Sequence, residues 1–491
     1  MGVAFHIENF GCRAARADGE AVGERLRAVG LTENETSADV VVVNTCSVTA
    51  EADRAARAFI RRTHRRNPAA RIVVTGCYAQ RAPGDLAGIP GVTAVIGNSH
   101  KALAPDIVLS LVENVRPASA SAAFSTFVPV QSLLSSRTQA PIWADDRFAH
   151  SFLEDAQLIP DVQTRPNLKI QEGCGNRCTF CVIPLTRGPS RSLSAEAILK
   201  QVRAFVIAGG NELVLSGINL GRWGRDLAFD GTFKLTLPRL IRVILEQSEL
   251  PRLRLSSVEP MDWDSDLIAL MREFGGTRLA RHAHLPLQSG SDTVLRRMHR
   301  RYRPWHYAQK VTALLDAAGA DLTLGADVMV GFPGESDREF EDTLQMVRDL
   351  PFGYLHLFPF SPRPATAGWE LHATLPVPAA VVEERMATLR ALAAKKSKAH
   401  RSRFIGSELD AITLHTPAAL QAQGRTSALT ENFLPVEIGG QVEANRLVRL
   451  RICGVNSESV LQAGKPNGCG GHGDNSPAIL VTSGRSEQSL N

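Results

Sequence analysis

Apolar and polar positions follow two rhythms along this chain. Over residues 1–117, short apolar runs rich in β-branched residues alternate with longer stretches of helical period. Strands are expected at residues 3–7, 40–43 and 72–75, and helices at 16–29 and 50–65. Buried strands between amphipathic helices predict an open parallel sheet covered on its faces. Residues 118–163 are rich in Ser, Ala, Pro and Asp and show no period. They read as a linker or insertion, long enough to pack on a neighbour. Alternation resumes over 164–400, with strands expected at 168–171, 212–215, 252–255, 284–287, 322–329 and 354–359. Strand–helix units in that number suggest a barrel or an incomplete barrel. Over 401–463 the pattern shortens, with candidate strands at 407–414, 425–429 and 447–452, and suggests a small all-β module. Residues 464–491, rich in Gly, Asn and Ser, are expected to be disordered.

Hydrophobic residues make up 44% of the 491, enough for cores in about three domains. The first residues carry no basic n-region ahead of an apolar stretch, so no signal peptide is expected. No apolar run is long enough to span a bilayer, so no membrane association is expected. The 8 cysteines, some of them clustered, point to metal ligands in a reducing compartment, with the cytoplasm as the default location. The net charge of +5 is uninformative, but its clustering is not. Arg54, Arg57, Arg61, Arg62, Arg65 and Arg66 crowd one helix; Arg296, Arg297, Arg300, Arg301 and Arg303 form a second group. Lys395, Lys396, Lys398, Arg401 and Arg403 form a third. Any one group reads equally well as an ordinary solvated helix face; together they favour a polyanion partner.

Cys174, Cys178 and Cys181 form a C-x3-C-x2-C loop with Phe180 before the last cysteine. Thiolates hold iron–sulfur clusters, usually through a full set of cysteines. A set lacking one ligand leaves an iron open to another molecule. Cys12, Cys46 and Cys77 are far apart in sequence, yet each lies just beyond an expected strand. Ligands of open parallel sheets bind outside the carboxyl ends of the strands, so these cysteines can converge on one cofactor. Three ordinary buried cysteines and a zinc site are the alternatives. Cys453 and Cys469 have no such context; one is expected in the core and the other in the tail.

By the same strand-end logic, polar segments should gather around the Cys174 loop. They include Gly209-Gly210-Asn211-Glu212, Ser216-Gly217-Ile218-Asn219, Ser256 to Pro260 with Glu259, and Leu287 to Ser291 with Gln288. Asp327, Gly331 to Glu335 and Phe360 to Arg363 complete the series. Such a rim suits a zwitterionic, nucleoside-like cofactor.

The Cys174/Cys178/Cys181 loop with Phe180 resembles the hallmark of the radical S-adenosylmethionine enzymes. With Cys12, Cys46 and Cys77 ahead of it, nearly the whole of residues 1–463 resembles the methylthiotransferases. Matching segments are Arg187 to Ser192, His284 to Ser291 and Gly331 to Glu335. The C-terminal module, with Gly424-Arg425-Thr426 and Thr430-Glu431-Asn432-Phe433, is similar to the RNA-binding TRAM domain. Asn44 to Thr49, then Ala52-Asp53, and Leu255 to Pro260 look like the threonylcarbamoyladenosine branch of that family. Two segments depart from it. Arg13 to Asp18 replaces a polar Asn-Gln stretch, and Ala365-Thr366 stands where Gly-Thr is usual.

The resemblance implies an α/β fold: an N-terminal open parallel-sheet domain, a partial (β/α)6 radical S-adenosylmethionine barrel, and a TRAM-like β module. It implies two [4Fe-4S] clusters, one on Cys174, Cys178 and Cys181, the other on Cys12, Cys46 and Cys77. S-adenosylmethionine would contact Phe180, Gly209, Gly210, Asn211, Glu212, Glu259 and Gln288. It would serve as both radical source and methyl donor, while the Cys12/Cys46/Cys77 cluster supplies sulfur. The implied reaction is methylthiolation of carbon 2 of N6-threonylcarbamoyladenosine at position 37, in the anticodon loop of tRNA. An electron donor such as flavodoxin or ferredoxin would be a partner. The alternatives are isopentenyladenosine-37 tRNA or a ribosomal protein as target, or an iron–sulfur RNA-binding protein without catalysis.

Overall fold

The β-branched run at residues 40–43 becomes part of an interior strand in which every residue is buried. Its side chains point alternately to the two faces of the sheet. Val40 and Val42 pack with Phe5, Val22, Leu26 and Val73, whereas Val41 and Val43 pack with Ile60, Ile72, Val74 and Val95. Each such valine, fully buried, contributes about 1.5 to 3 kcal/mol of hydrophobic stabilisation. The computed structural model describes residues 3–113, 139–152, 158–160, 163–227 and 235–464. The expected tail with Cys469, and much of the expected linker, lie outside the described residues.

The N-terminal sheet contains β1 (Ala4–Asn9), β2 (Thr32–Glu33), β3 (Val40–Thr45), β4 (Arg71–Gly76), β5 (Val92–Gly97) and β6 (Ile142–Trp143). Its order is β2-β1-β3-β4-β5-β6, and all its pairs are parallel. The edge strand β6 comes from the stretch read as a linker, which therefore adds to the sheet. Helix α1 (Arg13–Ala28) buries Ala14, Ala17, Ala21, Val22 and Leu26 against this domain. Helix α2 (Ala50–Arg66) starts at Thr49, whose hydroxyl accepts a hydrogen bond from the Ala52 amide at 3.2 Å.

The central region contains β7 (Asn167–Glu172), β8 (Arg191–Ser192), β9 (Glu212–Gly217), β10 (Arg252–Leu255), β11 (His282–His284), β12 (Thr323–Val330) and β13 (Phe352–Pro359). The ladders run β10-β9-β7-β8 and β11-β12-β13, and bridges at Leu253–Leu279 and Ser257–His284 join the two. Apart from the antiparallel hairpin strand β8, all are parallel. Among the described residues β13 does not pair with β7, so the barrel is open on that side. Helix α1 packs along β7 and β9. The strand expected at 284–287 begins and ends earlier, because the chain leaves the ladder into a turn where Gln288 takes φ +63°.

The C-terminal module contains β14 (Glu408–Thr413), β15 (Arg425–Thr430), β16 (Pro435–Gly439), β17 (Leu447–Val455) and β18 (Leu461–Ala463), closed in the order β14-β15-β16-β18-β17. Closure removes free strand edges from so small a sheet. The expected architecture is thus found: parallel sheet, partial barrel, small β-barrel. Cys453, expected in the core, is exposed on β17. No helix among the described residues is long and apolar enough to cross a membrane.

Candidate functional site

Cys12, Cys46 and Cys77 follow β1, β3 and β4, neighbours in one parallel sheet. Because parallel strands present the same end together, these cysteines share the carboxyl edge. Cys12 is exposed at the start of α1, whereas Cys46 and Cys77 are buried. Gly11, at φ +111°, permits their approach: a β-carbon there would lie 2.7 Å from the Cys46 β-carbon. Asn44 fixes the turn below them, donating through Nδ2 to Asn9 Oδ1 at 3.0 Å. Donors surround the sulfurs. The Val48 amide lies 3.5 Å from the Cys46 sulfur, and Asn98 Nδ2 lies 3.4 Å from the Cys77 sulfur. Arg187 Nε, from the central region, lies 3.3 Å from the Cys77 sulfur. Burial, reinforced by Cys77 and Cys12, pushes the Cys46 thiol up to about 12.

Cys174, Cys178 and Cys181 lie on the loop after β7. The Thr179 amide donates to Met298 O at 3.2 Å, and Gly368 N donates to Thr179 O at 2.7 Å, so the loop is held from two sides. The Cys174 sulfur accepts from Asn176 N and Asn219 Nδ2, each at 3.4 Å. Arg300 Nη1 lies 3.3 Å from the Cys178 sulfur. Burial pushes the Cys181 thiol up to about 12. Phe180 is partly buried against the barrel core.

Both sets suit an iron–sulfur cluster better than a single zinc ion. Among the described residues only His284, Asp327 and His356 bring their ligand atoms within 4.8 Å of one another; neither cysteine set does. Thiolates about 2.3 Å from one tetrahedral zinc would lie closer together than that. Buried thiols with raised pKa values favour the anion only when a cation replaces the proton, which is what a metal cluster provides. The N–H donors aimed at the sulfurs match anionic sulfur.

One residue links the two sets. A short helix, Ile183–Arg187, follows Cys181 closely, and Arg187 at its end reaches Cys77. Arg187 also donates to Glu172 at 2.7 Å and Asp18 at 3.2 Å. Lys169 donates to Glu172 at 2.6 Å and also to Asp18, which accepts from Lys101 as well. Each member of this network is buried. Burial alone would raise the Glu172 carboxyl; Arg187, Lys169 and Lys101 instead hold it well below its ordinary range. A second tie joins Arg363 to Asp53 at 2.8 Å, which Arg81 also meets at 2.8 Å. Apart from Lys169 and Glu172, which share β7, these partners come from separate segments and were not legible as pairs.

The rim differs from the expectation in one respect. Gly209, Gly210, Asn211 and Glu212 lie at the amino end of β9, whereas Cys174 follows the carboxyl end of its parallel neighbour β7. They therefore sit at the opposite end of the barrel. Asn211 Nδ2 donates to Asn445 O at 2.8 Å, and Asn445 Nδ2 to Gly209 O at 2.9 Å, a seam with the C-terminal module. Gly210 lies against the Phe205 ring, where a β-carbon would come within 2.2 Å. Glu212 pairs with Arg165 at 2.6 Å and Arg254 at 2.8 Å. These four residues are structural here. The residue beside the loop from this unit is Asn219, its amide held by Gln171 Oε1 at 2.6 Å.

Glu259 does lie at the loop, paired with Arg300 in a cleft that Asn176, Cys178 and Tyr302 also line. Gln288 is buried between β11 and β12, and its Oε1 has no partner among the described residues. Glu335, by contrast, is occupied by Arg385 at 2.9 Å and the Gly331 amide at 2.8 Å.

The basic groups also separate. Arg54, Arg61, Arg62, Arg65 and Arg66 are exposed on α2 and have no carboxylate partner among the described residues. In the second group Arg296 pairs with Asp292, Arg297 with Glu339, Arg300 with Glu259 and Arg303 with Asp292, so little of that charge is free.

Residues 4–97 match the model of the Uncharacterized protein family UPF0004, and residues 168–347 that of the Radical SAM superfamily. The chain is 32% identical over 453 residues to the threonylcarbamoyladenosine tRNA methylthiotransferase MtaB of Bacillus subtilis (strain 168), covering 92% of this chain and 93% of that one. It is 31% identical to the tRNA-2-methylthio-N(6)-dimethylallyladenosine synthase of Anaplasma marginale, covering 89% of this chain and 90% of that one. In fold it is similar to the radical S-adenosylmethionine methyltransferase TsrM of Kitasatospora setae, at 13% identity and a TM-score of 0.50 over 77% of this chain and 80% of that one.

Proposed function

This chain belongs to the radical S-adenosylmethionine methylthiotransferases, and we propose that it methylthiolates carbon 2 of N6-threonylcarbamoyladenosine at position 37 of tRNA. The observation that carries this reading is the pairing of two cysteine sets in separate domains, joined through Arg187. Cys174, Cys178 and Cys181 would hold one [4Fe-4S] cluster, and Cys12, Cys46 and Cys77 the other. When bound, the clusters and S-adenosylmethionine supply the radical, the sulfur and the methyl group.

The protein's own residues position and shield these groups. Asn219 and Arg300 direct N–H donors at the sulfurs of Cys174 and Cys178. Arg187 and Asn98 do the same for Cys77. Glu259 and the unpartnered Gln288 Oε1 are suited to contact S-adenosylmethionine. The buried network of Asp18, Lys101, Lys169, Glu172 and Arg187 fixes the N-terminal domain against the barrel. The exposed arginines of α2 would grip the tRNA backbone, with affinity that falls as salt rises. The target base lies in a single-stranded loop, where it can be presented to a pocket. A cytoplasmic location and a small reductant, such as flavodoxin or ferredoxin, complete the reading.

Mass spectrometry of tRNA nucleosides from a deletion strain tests it. The methylthio derivative of threonylcarbamoyladenosine should disappear and its precursor accumulate. Persistence of that derivative, in a strain without a second such gene, would sink the proposal.

A further inference from the structure

The floor of the barrel interior carries more positive charge than the protein neutralises. Its carboxylate, Glu212, already pairs with Arg165 at 2.6 Å and Arg254 at 2.8 Å, and Arg252 lies 3.5 Å away. Arg13 joins this group from the start of α1. It has no carboxylate or other hydrogen-bond partner among the described residues. Its guanidinium carbon lies 5.4 Å from the centre of the Phe433 ring, as does that of Arg254. Phe433 belongs to the C-terminal module, where it takes φ +69°, and it stacks on His282 with ring centres 4.2 Å apart. Arg254 is fully buried, and its Nη1 has no partner among the described residues.

A buried guanidinium nitrogen without an acceptor, as at Arg254 Nη1, is costly. The arrangement becomes favourable when an anion arrives. A planar guanidinium fork matches carboxylate or phosphate. Two facts choose between them. Arg13 directly follows Cys12, the exposed member of the N-terminal cysteine set, so its backbone adjoins that set while its guanidinium reaches the barrel floor. Carbon 2 and the N6 substituent share the Watson–Crick edge of adenine, and the threonylcarbamoyl group ends in a carboxylate.

We propose that Arg13, together with Arg254 Nη1, binds the threonyl carboxylate of the substrate nucleoside above the Phe433 ring. This rests on the proposed function and adds a specificity element to it: an apolar N6 substituent would leave the cationic floor unpaired.

The test uses the cluster-loaded enzyme and anticodon stem-loop RNA carrying threonylcarbamoyladenosine, compared with the same RNA whose threonyl carboxylate is converted to a carboxamide. Wild type should bind the acid form on the order of 10- to 100-fold more tightly. Arg13→Gln should bind the two forms within about 3-fold of each other, with Arg13→Lys between, by the logic of a double-mutant cycle. Iron content and S-adenosylmethionine affinity, measured on each variant, report on the site itself. If Arg13→Gln keeps the full discrimination, or wild type shows none, the assignment is overturned. If Arg13→Gln weakens S-adenosylmethionine instead, the anion belongs to the cofactor and the assignment is equally overturned. Should Arg13→Gln fail to load iron, the Arg13→Lys ratio decides: a value as large as wild type counts against the proposal. A wild-type enzyme that leaves the acid-form RNA unmodified contradicts the proposed function itself. One that modifies it, yet binds both forms equally, contradicts only the carboxylate assignment.

Discussion

Arg187 Nε lies 3.3 Å from the sulfur of Cys77, although the two residues come from different domains. The same guanidinium holds Glu172 at 2.7 Å. One side chain thus connects the N-terminal cysteine site with the strand that leads into the Cys174 loop. Arg187 is fully buried, so its charge is little screened.

Arg187→Met should therefore destabilise the protein strongly. It leaves Asp18 and Glu172 with less compensation in a buried setting, where breaking an ion network costs about 3 to 5 kcal/mol. Thermal unfolding of the cluster-loaded protein reads this out as a large fall in Tm. A change of less than about 1 kcal/mol would mean that the network is dispensable.

Glu212 gives a pH test. Burial alone would raise its carboxyl, but Arg254 and Arg165 outweigh that and hold it far below the ordinary 4.5. A carboxylate depressed in the folded state stabilises fully above its unfolded value, and that contribution is lost as pH falls through the folded value. Glu212→Gln should therefore lower stability at pH 7 and flatten its decline below about pH 4.5. The same variant should bind S-adenosylmethionine as wild type does, because Glu212 lies at the far end of the barrel. Loss of that binding would restore the cofactor role expected from the sequence.

Much of this arrangement was legible beforehand, for a physical reason. Cys12, Cys46 and Cys77 each stood just past an apolar β-branched run, and parallel strands end together. The Cys174 loop needed only local spacing. What was not legible required pairing across segments: Asp18, Lys101, Lys169, Glu172 and Arg187 are unremarkable charges until the fold buries them together. The same holds for Phe433, which the C-terminal module places against His282 of the barrel. Gly209 to Glu212 was assigned to the wrong end, although its position ahead of a parallel strand already indicated the amino edge. Within the second basic group, sequence clustering could not show that neighbouring carboxylates neutralise most of the charge.

The arginines of α2 should carry salt-dependent tRNA affinity. Replacing Arg61 and Arg65 together by Glu should weaken binding. It should also make log K less steep against log salt, by about 0.9 for each phosphate no longer neutralised, or somewhat less for single strands. Arg242→Gln is the comparison, because that residue is already tied to Glu273 at 2.7 Å and should leave binding unchanged. Filter binding across a salt series checks both. Equal slopes for wild type and the double variant would remove α2 from the interface.

The central claim is that two independent cysteine sets each hold a cluster, and iron content tests it most directly. Anaerobically reconstituted wild type should hold about eight irons per chain, corresponding to two [4Fe-4S] clusters. Joint replacement of Cys12, Cys46 and Cys77 by Ala should leave about half of that iron, and so should joint replacement of Cys174, Cys178 and Cys181. If either triple variant loses all its iron while remaining folded, or retains all of it, the two-site account is wrong.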